Sequence, residues 1–455
     1  MNRPAKSMHG EWTGRWAFIL AATGAAVGLG NIWKFPYIAG ENGGGAFVLV
    51  YLGCILLIGV PVMVAEIIIG RRGRQNPVNS LETLAEDEQR STAWKYLGAM
   101  GVLAGFLILS YYSVIAGQAM SYVFRTFANT FEGVTPDGAR SIYVDLVSHP
   151  EKLLAWHTIF MVLTMIIVSR GVQRGLEKSV RFMMPALFLI LLVLVWFAYQ
   201  QGHYFDDAVH FLFDPDFSKL TANGVLTAMG HAFFSLSLGM GAIMVYGSYL
   251  PKKTSIFRMT LAISVMDTTV AILAGLAIFP LVFANGMAPG AGPSLIFETL
   301  PIAFGHMNHG AWFGGLFFVL LFFAALSSAI ALAEPVVTWL VENYEIKRLN
   351  ACIWVGVTIW ALGLLTVFSF NIGSEWTLAG LTPFELLDYL TANIMLPLGG
   401  LLIAIFAGWV MRRANSEEEL AIKPAFLFHG WRFLVRYIAP LAILVVFVNL
   451  TGFWF

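Results

Sequence analysis

The sequence predicts an all-α polytopic membrane protein. It has eleven transmembrane helices: two inverted five-helix repeats with broken first and sixth helices, then one peripheral helix. Three observations carry this. First, 58% of the 455 residues are hydrophobic and only 12% are charged, about half the charged share of a soluble domain. Second, the apolar residues gather in eleven runs long enough to cross a bilayer. These lie near residues 14–38, 43–70, 97–124, 152–170, 180–201, 221–249, 258–284, 310–340, 349–371, 382–411 and 431–453. Third, the first and sixth runs are interrupted at their middles, and each opens a block of five. Weakened spans at matching positions in two halves point to a site between inverted repeats. The chain, 1–455, reads as one transmembrane domain: repeat one about 14–201, repeat two about 221–411, and a peripheral helix about 431–453.

Charge fixes the expected orientation. Of the 27 Lys and Arg residues, Arg125, Arg140, Lys152 and Lys219 fall on one side and Lys34 lies inside the first span; all others fall on the opposite side. The basic side is cytoplasmic by the positive-inside rule. The N-terminus is then inside, the C-terminus outside, and the protein a multi-pass cell (plasma) membrane protein. Net charge is zero, which suggests no nucleic-acid partner. Cys54 and Cys352 lie in apolar runs and read as small hydrophobes. Met1 to Gly10 lacks the apolar core of a signal peptide.

In the first span, Gly24, Gly28, Gly30 and Asn31 fall near the centre. Each glycine weakens a helix by about 1 kcal/mol relative to alanine. A span can open there, exposing backbone groups to a cavity, ion or ligand; alternatively Gly24 and Gly28 serve close helix packing. Lys34, one turn outward, either snorkels to the surface or pairs with an acid. Glu41 to Phe47, with three consecutive glycines, reads as a hairpin into the second span. Glu66 in that span is an acid in an apolar run, suited to accept amides freed by a broken neighbour. The third span holds Ser110-Tyr111-Tyr112-Ser113, and one tyrosine is expected to point into the bundle.

The fourth span is short. Gly175 and Pro185, with nine residues between them, bracket the start of the fifth. That segment reads either as a static kink or as one that unwinds. The sixth span breaks at Phe233 to Gly241. Asp267 in the seventh span costs about 3 kcal/mol at membrane depth and should face a cation. After the outer loop 285–308, whose Ser294–Leu300 part reads as a short helix dipping back, the eighth span carries Ser327-Ser328. These hydroxyls either bond back to the preceding turn or coordinate a hard cation. Glu334 and Glu342 follow. Asp388, near the outer end of the tenth span, is a plausible partner for Lys34.

The run Gly24 to Phe35, with Glu41 to Phe47 and Ser235-Leu236-Ser237-Leu238-Gly239, resembles the neurotransmitter:sodium symporter family, specifically its bacterial amino-acid transporters. The resemblance covers nearly the whole chain. It implies the leucine-transporter fold and sodium-coupled uptake of an amino acid by alternating access. By position, it implies a first sodium site from the Ala26 carbonyl, Asn31, Ser235, Asp267 and the substrate carboxylate. A second would use the Gly24, Val27 and Ala324 carbonyls with the Ser327 and Ser328 hydroxyls. The substrate carboxylate would meet the Leu29 and Gly30 amides at a half-helix N-terminus and the Tyr112 hydroxyl. The ammonium would meet carbonyls near Ala26, Phe234 and Ser235. The side-chain pocket would be lined by Ile108, Phe234, Ser237, Met240 and Leu332.

Departures from the family sharpen the expectation. Where relatives usually have Asn in the seventh helix, this chain has Asp267, and Ala271 replaces a chloride-binding Ser or an acid. Asp267 then supplies the negative charge itself, and transport is expected to be chloride-independent. The inner gate of relatives pairs Arg with Asp; here the positions are His9 and Glu342, with Lys6 or Arg3 as alternative partners. The outer gate would be Lys34 with Asp388, where the family more often has Arg. Monoamine carriers of the family have Asp where this chain has Gly28, so a zwitterion with its own carboxylate is expected. Unbranched Met240 suits varied apolar side chains. The expected partners are hydrophobic aliphatic and aromatic L-amino acids, sodium ions at two sites and membrane lipid, and a monomer suffices. Proton antiport stays open, with His231 read as an interior histidine rather than a carrier. No metal-ligand spacing or nucleophile–base pair suggests an enzyme. The alternative is an amino-acid sensor of the same fold that binds without transporting, which uptake would distinguish.

Overall fold

The computed structural model describes residues 7–287 and 295–450. The first span is two helices, α1 (Arg15–Ala26) and α2 (Gly30–Glu41), bent by 54° at the break. The second to fifth are α3 (Gly45–Gly73), α5 (Thr92–Phe127), α7 (Pro150–Ser169) and α8 (Val172–Tyr199). The sixth is again broken, into α10 (Ala222–Ser235) and α11 (Ala242–Ser248). The remainder are α12 (Ile256–Ala284), α14 (Gly310–Tyr344), α15 (Arg348–Ser369), α16 (Pro383–Val410) and α18 (Ala425–Asn449). With the two broken spans each counted once, the described residues contain the eleven spans expected. The tail of the last, 451–453, lies outside the described residues.

The expected breaks fall where the glycines are, and the backbone shows how. α1 ends with Val27 turned to an extended conformation (ψ 107°). The link between α10 and α11 needs three left-handed residues: Ser237 (φ 54°), Gly239 (83°) and Gly241 (75°). Only Ser237 among them carries a side chain, and its Oγ donates to the Ala25 carbonyl at 2.8 Å. That bond ties one unwound segment to the other. Glu66 Oε1 accepts the Gly239 N–H at 2.7 Å, so the buried carboxylate of α3 stabilises an amide that the break leaves without a helical partner.

Long α5 and α14 pack against each other along the centre, and α1 lies against α8, α12 and α14. The broken helices are thus held by the rigid ones. α18 sits at the edge against α16 and α10. The hairpin between α2 and α3 turns through Gly43 (φ 85°) and Gly44 (φ 62°). A Cβ on Gly44 would lie 2.2 Å from the Phe211 carbonyl, so glycine is required there both by conformation and by space.

Some elements were not anticipated. Short helices occupy the loops: α4 (Pro77–Asp87), α6 (Pro136–Val147), α9 (His203–Phe213) and α17 (Arg413–Leu420). The first two had legible signals. Asn76 and Thr135 each precede a proline and cap the helix through side-chain oxygens, the usual N-terminal signature. Within the loop 285–308, α13 (Ile296–Gly305) is the short apolar helix expected there; Ser294, with which that expectation began, lies outside the described residues. The Gly175–Pro185 segment is helical in this structure: a π turn over Val172–Glu177 leads into a helix that continues through Pro185.

Candidate functional site

The two breaks face each other at mid-depth and enclose a small cavity of about 30 Å³. Ala26, Leu29, Gly30, Ile108, Tyr112, Phe234, Ser235, Ser237, Met240 and Leu332 all line it, as do Ala25, Gly28, Ala242, Ser328 and Ala331. The walls are apolar apart from three serine hydroxyls, the Tyr112 phenol and the backbone of the breaks. Tyr112 is the inward-pointing member of its pair: its hydroxyl accepts the Leu29 N–H at 3.4 Å. Tyr111 instead bonds Thr391 at 3.1 Å. The Leu29 and Gly30 amides sit at the start of α2, where helix N–H groups lack internal partners and favour an anion.

Below this cavity lies a buried polar cluster. Asp267 is fully buried. Its Oδ1 accepts from Asn31 Nδ2 at 2.8 Å and its Oδ2 from Ser235 Oγ at 2.5 Å. Asn31 Oδ1 in turn accepts the Gly28 N–H at 3.2 Å. Among the described residues no Lys, Arg or His pairs with Asp267. A buried ionised carboxylate without a cation is expensive, so this donor set fits a small hard cation. Tyr51, which sequence reasoning passed over, joins the cluster by donating to Ser235 Oγ at 3.1 Å.

A second convergence of oxygens lies between α1 and α14. Ser328 Oγ stands 3.4 Å from the Gly24 carbonyl, 3.3 Å from Ala25 and 3.2 Å from Val27. A hydroxyl has one proton to donate. Three carbonyls around it therefore leave lone pairs in excess, an all-oxygen arrangement that fits Na⁺ and has no soft or nitrogen ligand. Ala25 was absent from the sequence expectation and is the neighbour that structure adds. Ser327 Oγ bonds back to Phe323 (3.0 Å) and Ala324 (3.1 Å) on its own helix, the local bonding usual for a mid-helix serine.

The two residue pairs expected to act as gates are placed differently. Lys34 and Asp388 form no ion pair: the Lys34 ammonium lies over the Phe234 ring, 4.9 Å from its centroid, while Asp388 is half-buried on α16. The cation has a nearer, aromatic partner in the wall of the cavity. At the opposite end, His9 Nε2 meets Glu342 Oε1 at 3.0 Å, and both side chains are nearly buried. Glu342 Oε2 also accepts from the Asn76 backbone (2.8 Å) and side chain (2.5 Å). The segment around His9 is anchored further by the Trp12 indole, which donates to the Tyr246 carbonyl at 2.9 Å. Thr13 donates its N–H to Glu177 at 3.1 Å. Lys6 and Arg3, the alternative partners, lie outside the described residues. His231 is buried, with both ring nitrogens unbonded, against the rings of Phe35 and Tyr51.

The chain is similar to known proteins along nearly its whole length. The chain matches the family model described as the sodium:neurotransmitter symporter family over residues 9–134 and 145–452. It is 39% identical over 446 residues to the uncharacterized sodium-dependent transporter YhdH of Bacillus subtilis, covering 97% of this chain and 98% of that protein. It is 34% identical over 445 residues to an uncharacterized sodium-dependent transporter of Haemophilus influenzae, covering 96% and 97%. The crystal structure of MhsT in complex with L-phenylalanine superposes with a TM-score of 0.89 at 41% identity, covering 97% of this chain and 99% of that one.

Proposed function

The chain belongs to the sodium:neurotransmitter symporter family and is a sodium-dependent transporter rather than an enzyme, and we propose that its cargo is a hydrophobic L-amino acid, carried inward with sodium at two sites. The observation that carries the reading is Asp267: a fully buried carboxylate, without a basic partner among the described residues, beside two broken helices. Sodium supplies positive charge there, and the chain supplies the rest. Ala26, Asn31, Ser235 and Asp267 form the first site, and Gly24, Val27, Ala324, Ser327 and Ser328 the second. Among the latter, Ser328 and the carbonyls around it make the stronger set.

The substrate's carboxylate is held by the Leu29 and Gly30 amides and the Tyr112 hydroxyl. Its ammonium faces carbonyls near Ala26, Phe234 and Ser235. Among the described residues the cavity is lined by no Asp, Glu, Lys, Arg or His side chain, so a charged substrate side chain would be buried without a partner. Gly28 leaves no counter-charge for a substrate lacking a carboxylate. MhsT, bound to L-phenylalanine, supports a pocket for aromatic as well as aliphatic side chains. Because Asp267 carries the negative charge, chloride is not required.

Alternation follows from the two gates: the His9–Glu342 pair closes the basic, cytoplasmic end, and Lys34 with Asp388 closes the outer end when they meet. The test is uptake of labelled leucine and tryptophan into proteoliposomes under an inward sodium gradient, against choline. Sodium-driven accumulation supports the reading. Binding without accumulation would mean a sensor, and accumulation that ignores sodium would overturn the assignment of Asp267.

A further inference from the structure

The basic end of α7 and α8 carries a cleft of about 640 Å³ lined by Arg170, Gln173, Arg174, Glu177, Lys178 and Arg181. Four of the six are cations. Glu177 is the one acid, and it is already committed to Thr13 and to Arg181 (2.6 Å). Among the described residues, Arg170, Arg174 and Lys178 have no acidic partner, and all three are exposed. Arg174, Lys178 and Arg181 recur at intervals of four and three, which places them on one helix face. The turn that holds them is tight, for a Cβ on Gly175 would lie 2.1 Å from the Ile167 carbonyl.

Beneath the cations the two helices part. α7 packs on α5, α14 and α15, α8 packs on α1, α12 and α14, and α7 and α8 touch little beyond the turn that joins them. The gap between them is floored by α14, where Phe322 meets Phe160 of α7 (6.2 Å between ring centroids) and Phe323 meets Phe182 of α8 (6.0 Å). Phe182 is 67% exposed and Ile166 44%. An apolar slot at membrane depth thus runs up to a cluster of unpaired cations at the membrane surface.

We propose that this groove is a binding site for an anionic phospholipid, its phosphate held by Arg170, Arg174 and Lys178 and one acyl chain lying along Phe182 and Phe323. Charge complementarity argues for an anionic headgroup, and the apolar slot argues for a lipid rather than a free anion. Glu177, in the same cleft, also holds Thr13, so the bound headgroup lies against the segment that closes the cytoplasmic end. The site does not depend on the transport reading, and its test reads binding without uptake.

The experiment is native mass spectrometry of the purified chain in detergent, titrated with phosphatidylglycerol or phosphatidylcholine. The chain should retain one phosphatidylglycerol at concentrations where phosphatidylcholine is lost. Arg170→Gln/Arg174→Gln/Lys178→Gln should weaken that retention by about tenfold or more. A reference triple of exposed cations in the loop before α12 and its first turn, Lys252→Gln/Lys253→Gln/Arg258→Gln, should leave it unchanged. Phe182→Ala should weaken it with the charges intact, and excess inorganic phosphate should not displace the lipid. Equal losses in the two triples would overturn the site in favour of diffuse attraction to a basic face. Displacement by phosphate alone, or no preference over phosphatidylcholine, would also overturn it. If the site triple does not fold, Arg174→Gln alone carries the same test, with a loss of about threefold expected.

Discussion

Gly28→Ala separates sodium binding from folding. Gly28 is not left-handed, so alanine is compatible with the backbone. The new methyl group would lie 2.8 Å from Ser328 Oγ and 3.1 Å from the Tyr112 hydroxyl. The first contact is far too short for van der Waals packing, and an overpacked site costs about 1–3 kcal/mol. The cheapest relief is rotation of Ser328 about its Cα–Cβ bond. That rotation withdraws the hydroxyl from the Gly24, Ala25 and Val27 carbonyls. The strain therefore appears as lost cation affinity rather than lost fold. At 1.4 kcal/mol per factor of ten, half-saturating sodium should rise by about tenfold. Ser328→Ala removes one oxygen donor outright and should raise it comparably, since hydrogen bonds to charged groups are worth about 1.5–3 kcal/mol. The double variant decides the matter, because with Oγ gone the methyl group has nothing to push there. It should be no worse than Ser328→Ala alone, a strongly non-additive cycle. Sodium titration of leucine uptake in proteoliposomes measures all three. Unchanged sodium dependence in Gly28→Ala, or additive effects in the double variant, would refute the reasoning.

Other expectations follow from the same geometry. Wild-type uptake should be equal in chloride and gluconate, while Asp267→Asn should lower sodium-driven uptake by more than about tenfold, the effect of about 1.4 kcal/mol lost from a buried charge interaction; retained sodium coupling would place the essential charge elsewhere. Glu342→Ala removes the acceptor shared by His9 and Asn76, leaving buried donors unpaired at a cost of about 1–3 kcal/mol each. Hydrogen exchange over residues 7–13 should accelerate, and unchanged protection would mean that Trp12 and Thr13 suffice. Gly44→Ala combines a left-handed backbone with a 2.2 Å approach to the Phe211 carbonyl. It should destabilise the hairpin between α2 and α3 by about 3 kcal/mol or more, read as a lower melting temperature in detergent; a melt like that of the wild type would mean the hairpin shifts freely.

Much of the site was legible because a membrane makes polar residues conspicuous. Asp267, Asn31, Ser235 and Ser328 interrupt apolar runs, and the glycines at both breaks announce where backbone leaves its helix. Tyr51 was not legible. Lying well inside an apolar span, it offers no polar contrast, and its partner Ser235 is 184 residues away. Nor could sequence decide the state of a gate: Lys34 has an aromatic and an acidic partner within its repertoire, and which it meets depends on how far the helices have moved. Ser237 illustrates a third limit. Nothing in its type announces a left-handed backbone, which is imposed by the bond to Ala25 and the glycines around it. Gly175 and Pro185 leave the fifth span open to either a static kink or an unwinding segment, and in the structure it is wound through Pro185 and packed against α12 and α14.

The docking of residues 9–13 has a practical side. His9, Trp12 and Thr13 bond respectively to α14, α11 and α8, so five residues tie three helices together, and in the transport cycle proposed above they act as a stopper. Anything attached just ahead of them, such as an affinity tag or a reporter domain, pulls on that stopper as surely as a point mutation within it. Under the proposed gating, a fusion at the amino end would be an unintended gating variant, with its leak or stall mistaken for a property of the pocket. Handles for purification, labelling or tethering belong at the other end of the chain.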